Sequence, residues 1–214
     1  MSIVSSIKHA FKPVITIPVL RSENRELPIV LRAIELSDEE EWYSLRDKND
    51  SWLAPWQAQD PCGGEGFSFS AWVHNLRVNE RQGTGVVFVI VLHERIIGQI
   101  SISNILYASM RSGLVGYWID SRYAGRGIMP LALAMLANWA LQKGNGSPSL
   151  HRLEIAIIPR NIRSQSVVKK IGAHNEGVRK QYIYVNNCWE DHEIYVLFEQ
   201  DVHRCIAQFL CDTM

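Results

Sequence analysis

Residues 117–128 read YWIDSRYAGRGI and pass from an apolar, strand-like segment through a glycine-containing loop into the start of an amphipathic helix. Gly125 and Gly127 allow backbone N–H groups to approach a ligand closely. The helix start adds about half a positive charge, and Arg122 and Arg126 add cationic donors suited to phosphates. The spacing differs from both GxGxxG and GxxxxGK[ST]. The stretch therefore predicts a pyrophosphate-binding loop of another class, with a plain tight turn as the alternative.

Hydrophobic periodicity on both sides of this loop predicts one α/β (α+β) domain. Apolar residues from Ile128 to Trp139 recur at helical spacing, while short runs rich in β-branched residues are typical of strands. Ser37, with Glu40 three residues later, predicts a capping box for the first helix. The sum is a mostly antiparallel central sheet flanked by helices. The predicted strands are 29–34, 86–92, 96–103, 114–119, 152–158, 180–185 and 192–198, and the predicted helices are 38–47, 66–81, 128–144 and 161–171, with a loop over 49–66.

The two ends of the chain differ from this central part. Residues 1–28 contain three prolines and a charged stretch, which predicts an irregular N-terminal arm. Residues 29–200 form the predicted domain, and residues 201–214 form a C-terminal tail with helical spacing. The sequence leaves the role of the arm and the oligomeric state open.

Composition excludes several classes of protein. The 214 residues include 47% hydrophobic and 21% charged residues with a formal net charge of zero, which predicts a packed core and argues against nucleic-acid binding by bulk charge. No apolar run approaches the ~18 residues of a membrane helix, and no signal peptide is recognisable. The four cysteines lack metal-ligand spacing, so free thiols in a cytoplasmic protein without a metal are expected.

A second segment, 159–164 (PRNIRS), follows a predicted strand. Asn161 is a helix N-cap candidate, and Ser164 is a polar residue of the first helical turn. Both side chains are also predicted to project at the mouth of that strand, beside whatever the glycine loop binds. The local pattern leaves the capping role and the functional role of these two residues open.

These motifs resemble those of a known family. Arg122-x-x-Gly125-x-Gly127 resembles the acetyl-CoA loop of the GNAT N-acetyltransferases, and Asn161-x-x-Ser164 resembles a stretch of their protein-acetylating branch. Further stretches are similar to the bacterial ribosomal-protein-alanine N-acetyltransferases, and the resemblance covers roughly residues 29–200. Those stretches are 52–56, 96–104, 151–152, 171–177, 179–182 and 189–192. The sequence departs from the family pattern at Ala173, and at Ile183, where related serine N-acetyltransferases carry a glutamate proposed as the base.

The resemblance implies the GNAT fold, with acetyl-CoA as co-substrate lying in a gap where the strand at 114–119 splays from the parallel strand at 152–158. Asn161 would orient the cofactor amide or a water, and Ser164 would act as the acid for the departing sulfur. The implied cofactor-binding residues are Ile119, Arg122, Gly125, Arg126, Gly127, Ile128, Asn161 and Ser164.

Position 183 carries no carboxylate, and a site that lacks this base suits an N-terminal α-amine as the acceptor. An α-amino group has a pKa of about 7.7–8.0 and is partly neutral at pH 7, whereas lysine, at about 10.4, is not. Glu154 is the candidate base, with Asp191 and His192 as other possibilities, and Trp56, Tyr182 and Asp191 are the predicted acceptor-binding residues.

The predicted function is acetylation of the N-terminal α-amine of a protein, with a ribosomal protein beginning with alanine as the expected substrate. This would involve no direct contact with nucleic acid or a membrane. Two alternatives stay open: acetylation of a small-molecule amine (a polyamine, amino acid or antibiotic), and a non-catalytic acetyl-CoA-binding module.

Overall fold

The computed structural model describes residues 14–63, 66–144 and 146–201, which form one eight-stranded mixed sheet in the order β1-β2-β3-β4-β5-β6-β8-β7, flanked by helices. This confirms the predicted fold class. The strands are β1 (Leu20–Arg21), β2 (Val30–Ala33), β3 (Val86–Leu92), β4 (Arg95–Leu106), β5 (Ser112–Ile119), β6 (Arg152–Ile157), β7 (His174–Val185) and β8 (Cys188–Phe198). The helices are α1 (Glu39–Lys48), α2 (Asp50–Leu53), α3 (Phe69–Gln82), α4 (Ile128–Leu141) and α5 (Ile162–Lys170).

Hydrophobic clusters cover both faces of the sheet. Phe88 and Ile90 of β3 pack in a cluster with buried residues of α4 and α5, whereas Val89 between them packs in a second cluster with residues of α1 and α3. Helix α4 is almost entirely apolar, because its residues are buried between the sheet and neighbouring elements. Pro130 lies in its first turn, where a missing N–H leaves no hydrogen bond unmade. The core thus fixes both helices that follow the central strands.

Strands β5 and β6 form the only parallel pair in the described sheet, and they separate along their length. Ser112–Val115 of β5 pairs with Arg152–Ile155 of β6, and no pairing continues over the last four residues of β5. Every other neighbouring pair in the described sheet is antiparallel. The gap predicted between these two strands is therefore present.

Two local predictions need correction. The capping box at Ser37 is wrong, because a 3-10 turn (Leu36–Asp38) precedes α1 and Asp38 is the N-cap residue. The Asp38 carboxylate accepts hydrogen bonds from Arg32, at 2.7 Å, and from the Glu35 N–H. The predicted loop over 49–66 contains α2 and a 3-10 turn (Ala54–Trp56).

The chain ends are only partly covered by these findings. Leu20–Arg21, inside the predicted arm, pairs with β2 and adds an edge strand to the sheet. Residues 1–13, and the predicted helix in the tail from residue 202 onward, lie outside the described residues. No helix in the described part of the chain is long and apolar enough to cross a membrane.

Candidate active site

The loop between β5 and α4 presents free backbone donors. Gly125 and Gly127 have φ angles of +80° and +79°, a left-handed conformation that other residues adopt at a cost. Within the described chain, the N–H groups of Gly125, Arg126 and Gly127 donate to no other residue. Ile128 begins α4, so its N–H is also unpaired within the helix. Four successive donors thus meet at a helix N-terminus, which is an arrangement that binds anions.

Side-chain contacts hold this loop in place. The buried carboxylate of Asp120 accepts hydrogen bonds from the backbone N–H of Arg122, at 2.9 Å, and from its guanidinium. Burial alone would raise the pKa of Asp120, but the contacts with Arg122 outweigh it and lower that pKa. The buried Asn49 side chain accepts the Ser121 N–H at 2.9 Å and so ties the end of α1 to the loop. The carboxylate and amide therefore fix the backbone that carries the free donors.

A cavity of about 680 Å³, here called the loop cavity, opens beside these donors. One face of α5 forms a wall through Arg163, Ser166, Val167 and Lys170, which follow the i, i+3, i+4, i+7 spacing of a helix face. Arg46 of α1 adds a third cation to its lining. The sequence prediction missed Arg46, Arg163 and Lys170, although the spacing on α5 was a usable signal.

The side chains of the two arginines predicted in the loop lie outside the loop cavity. Arg122 and Arg126 are not among the described residues that line the loop cavity. The Arg122 guanidinium is paired with Asp120, and that of Arg126 lies 5.5 Å from the centre of the Tyr123 ring. The backbone around these two arginines, rather than their side chains, is what faces the cavity.

The gap between β5 and β6 exposes backbone hydrogen-bonding groups. The Asp120 N–H donates to Ile97 of β4, so the alternation along β5 directs the backbone of Tyr117 and Ile119 away from β4, toward β6. No β6 residue pairs with them there. The Ile119 carbonyl accepts the indole N–H of Trp52 at 3.1 Å. An extended ligand chain could pair with the remaining groups, as predicted for Ile119.

A second cavity of about 260 Å³, here called the sheet cavity, lies on the other side of the same gap. The segment after Trp56 closes it, since the Gln59 N–H donates to the Tyr184 carbonyl of β7 at 3.0 Å. The loop cavity and the sheet cavity share four residues: Trp56, Tyr117, Asn161 and Ser164. Two molecules entering from opposite sides would therefore meet at these side chains.

Ser164 stands at this meeting point with an unexpected partner. Its hydroxyl lies 2.8 Å from the Tyr117 hydroxyl, and its backbone N–H donates to the Asn161 side chain at 3.1 Å. Asn161 is thus the N-cap of α5, as predicted. Burial raises the pKa of Tyr117 far above its usual value, with the Ser164 hydrogen bond opposing the rise, so the phenol stays protonated. No local sequence signal indicates this role of Tyr117.

Other predicted site residues make ionic contacts outside the two cavities. The Glu154 carboxylate lies 3.0 Å from Arg152 and 2.8 Å from Arg179, and Arg179 also donates to the Tyr182 hydroxyl. Asp191 binds Lys180 at 2.7 Å, and this contact, with the Gln181 N–H, lowers the pKa of Asp191. Among the described residues, those that line the two cavities do not include Glu154, Tyr182 or Asp191. Their catalytic and acceptor-binding roles stay predictions.

The described residues contain no cluster of three or more potential metal ligands. Cys62 and Cys188 are exposed free thiols.

Comparison with known proteins agrees with this geometry. The sequence pattern of the acetyltransferase (GNAT) domain family matches residues 29–174. A probable N-acetyltransferase of Bacillus subtilis, YjcK, is 27% identical over 178 residues, which cover 81% of this chain and 95% of that protein. The [ribosomal protein uS5]-alanine N-acetyltransferase of Escherichia coli is 28% identical over 160 residues, covering 72% of this chain and 79% of that protein.

A solved structure shows the same fold. The Mycobacterium smegmatis RimJ structure, in complex with CoA-disulfide, superimposes with a TM-score of 0.76 at 27% identity, covering 90% of this chain and 93% of that one. The likeness thus extends beyond the segment of residues 29–174.

Proposed function

The chain belongs to the acetyltransferase (GNAT) family, and we propose that it transfers the acetyl group of acetyl-CoA to the N-terminal α-amine of a protein. Its relatives include a ribosomal-protein-alanine N-acetyltransferase, so we further propose a ribosomal protein beginning with alanine as the acceptor. We also propose that the protein acts in the cytoplasm, where ribosomes and acetyl-CoA occur together.

The residues present fit acetyl-CoA as the co-substrate. The free N–H groups from Gly125 to Ile128 would hold its pyrophosphate, and the backbone of Tyr117 and the N–H of Ile119 would pair with its extended arm. Arg163 and Lys170 line the same cavity and add charge complementary to phosphates. When bound, acetyl-CoA supplies an acetyl group on a thioester.

The observation that carries the proposal is the set of four residues shared by the loop cavity and the sheet cavity. Among them, Ser164 can donate a proton to a departing thiolate, and Tyr117 can hold the Ser164 hydroxyl in position. Asn161 keeps its carbonyl oxygen on the Ser164 N–H and its amide N–H₂ available for a ligand. The acetyl thioester and the acceptor amine would therefore meet beside the Ser164 hydroxyl, which is already oriented to act as the acid.

The size of the sheet cavity supports a small acceptor group. Its 260 Å³ falls below the roughly 300–1,000 Å³ of drug-sized ligand sites, so it suits the first residue of a peptide better than a whole aminoglycoside. Its lining is mostly apolar, including Leu114, Ile155 and Ile183. A methyl side chain such as that of alanine fits this environment.

The test is an acetyl-CoA consumption assay with a panel of acceptors. It compares peptides with the N-termini of ribosomal proteins, including ones that begin with alanine, with polyamines, amino acids and aminoglycosides. We expect turnover with the alanine peptides. Turnover of a small amine alone would move the protein to the small-molecule class, and binding of acetyl-CoA without turnover of any acceptor would indicate a non-catalytic module.

A further inference from the structure

We propose that His192 is the general base of the reaction and takes the proton from the attacking amine through its Nε2 atom. This inference rests on the proposed function and adds a catalytic residue to it. His192 lies on β8, is 3% exposed and lines the sheet cavity together with Ser164. Tyr195 and Leu197 of β8 pack in the cluster with α4, so the alternation along the strand places His192 on the opposite face of the sheet.

Hydrogen bonding fixes the form of the ring that a base requires. Nδ1 of His192 lies 2.9 Å from the backbone carbonyl of Glu190, an acceptor, so Nδ1 carries the hydrogen and donates it. Nε2 consequently holds a lone pair. No described residue donates a hydrogen bond to Nε2, so this lone pair is available to a ligand or a water in the cavity.

The surroundings keep the ring neutral near pH 7. Burial lowers the pKa of His192, and the charge of Arg160 lowers it further. Together they outweigh the Glu190 carbonyl and the carboxylates of Glu190 and Asp191, which raise it. The other polar groups near it on β7 are Arg179, which pairs with it in register, and Tyr182, whose ring centre is 6.0 Å from that of the imidazole. A base must be unprotonated to act, and burial secures that state.

No other described residue of the sheet cavity can take this role. Its lining contains two titratable side chains, Tyr117 and His192, and no carboxylate or lysine. Tyr117 stays protonated because its pKa is raised, so it cannot accept a proton. Ile183, where related enzymes carry a glutamate, lines the same cavity, and His192 is available to replace the function of that missing carboxylate. Glu154, the base predicted from the sequence, is paired with two arginines.

His192 and Ser164 each move one proton in the proposed step. The neutral α-amine forms a bond from nitrogen to the thioester carbonyl carbon, and the carbon–sulfur bond breaks. Nε2 of His192 takes one proton from the nitrogen and becomes imidazolium, and Ser164 gives its hydroxyl proton to the departing sulfur. The imidazolium then releases its proton to solvent, and Ser164 regains one from solvent. The net reaction is amine plus acetyl-CoA to amide plus CoA.

Two substitutions separate a base from a structural residue. His192→Asn keeps a donor near the Nδ1 position for the Glu190 carbonyl but has nothing at the Nε2 position, whereas His192→Gln reaches that position with a group that cannot accept a proton at neutral pH. We expect kcat to fall on the order of 10²-fold or more in both, with acetyl-CoA affinity by calorimetry and the unfolding midpoint of His192→Asn close to wild type. His74→Asn, on the exposed face of α3, is the matched control and should keep normal kcat.

The pH profile gives an independent readout. Because the pKa of His192 is lowered from the ordinary imidazole value of about 6.5, wild-type kcat should show an added fall on the acid side of that value, and both variants should lack it. Each variant is measured with whichever acceptor of the panel the wild-type enzyme uses. A folded His192→Asn enzyme that works at the wild-type rate would overturn the role of His192. If the wild-type enzyme acetylates polyamines and no peptide, the proposed acceptor is overturned instead.

Discussion

Removing one hydroxyl tests whether Tyr117 acts through Ser164. In Tyr117→Phe the Ser164 hydroxyl loses its partner at 2.8 Å, and the Ser164 carbonyl loses a contact at 3.2 Å. A neutral hydrogen bond contributes about 0.5–1.5 kcal/mol net, so we expect the unfolding free energy to fall by about 1–2 kcal/mol. For a chain of this size that corresponds to a lowering of Tm by roughly 2–8 °C.

The same loss affects the rate. If one such bond orients the Ser164 hydroxyl, 0.5–1.5 kcal/mol corresponds to a fall in kcat of about 2- to 13-fold, at 1.36 kcal/mol per factor of ten. Ser164→Ala removes the acid itself and should cost on the order of 10²-fold or more, with little change in KM for acetyl-CoA.

A double-mutant cycle measured by steady-state kinetics decides between the two ways in which Tyr117 could contribute. If Tyr117 only positions Ser164, Tyr117→Phe has no further effect once Ser164 is alanine, and the double variant equals Ser164→Ala. A double variant whose loss is the product of the two single losses would refute the positioning role. Normal kcat in Ser164→Ala would return Ser164 to a helix-capping residue.

Three further substitutions test other parts of the structure. Gly127→Glu places a carboxylate beside the free N–H groups at φ +79°, so calorimetry should show acetyl-CoA binding lost with the fold retained; unchanged affinity would contradict the loop assignment. Glu154→Gln removes the partner of Arg179 and should lower the unfolding free energy by about 1–3 kcal/mol, whereas a 10²-fold loss of kcat with unchanged stability would identify Glu154 as the base. Burial alone would raise the pKa of Asp38, but Arg32 and a backbone N–H outweigh it and lower that pKa. The ionised Asp38 therefore stabilises the fold above about pH 4, and this stabilisation is lost as the pH falls further. Asp38→Asn should reduce the acid dependence of the unfolding free energy in chemical denaturation, and an unchanged dependence would exclude this role of Asp38.

The sequence predicted those parts of the site that depend on local signals. The glycine loop could be found because two positive-φ positions between a strand and a helix need glycine, and Asn161 because an N-cap depends on residues within one helical turn. The gap between β5 and β6 was expected only through the family resemblance. No local pattern shows that two strands stop pairing after Val115.

What the sequence missed depends on long-range contacts. The sequence pattern did not reveal that the buried Asp120 binds the guanidinium of Arg122, two residues after it, and the role of Arg122 at the phosphate site stays a prediction. The cations that do line the loop cavity include Arg46, which comes from a helix far away in the chain. Trp52 lies in a segment without clear periodicity. Its indole N–H donates to the Ile119 carbonyl only after folding brings these two residues, 67 positions apart in the sequence, into contact.

Mass spectrometry of the product shows whether the acetyl group is transferred to an N-terminal α-amine. A peptide that begins with alanine and contains one internal lysine is incubated with acetyl-CoA and the enzyme, and the product is fragmented. We predict acetyl on the α-amine alone, with kcat/KM rising through roughly pH 7–8 as that amine loses its proton. Acetyl found only on the lysine side chain, or on no peptide while a polyamine is acetylated, would contradict it.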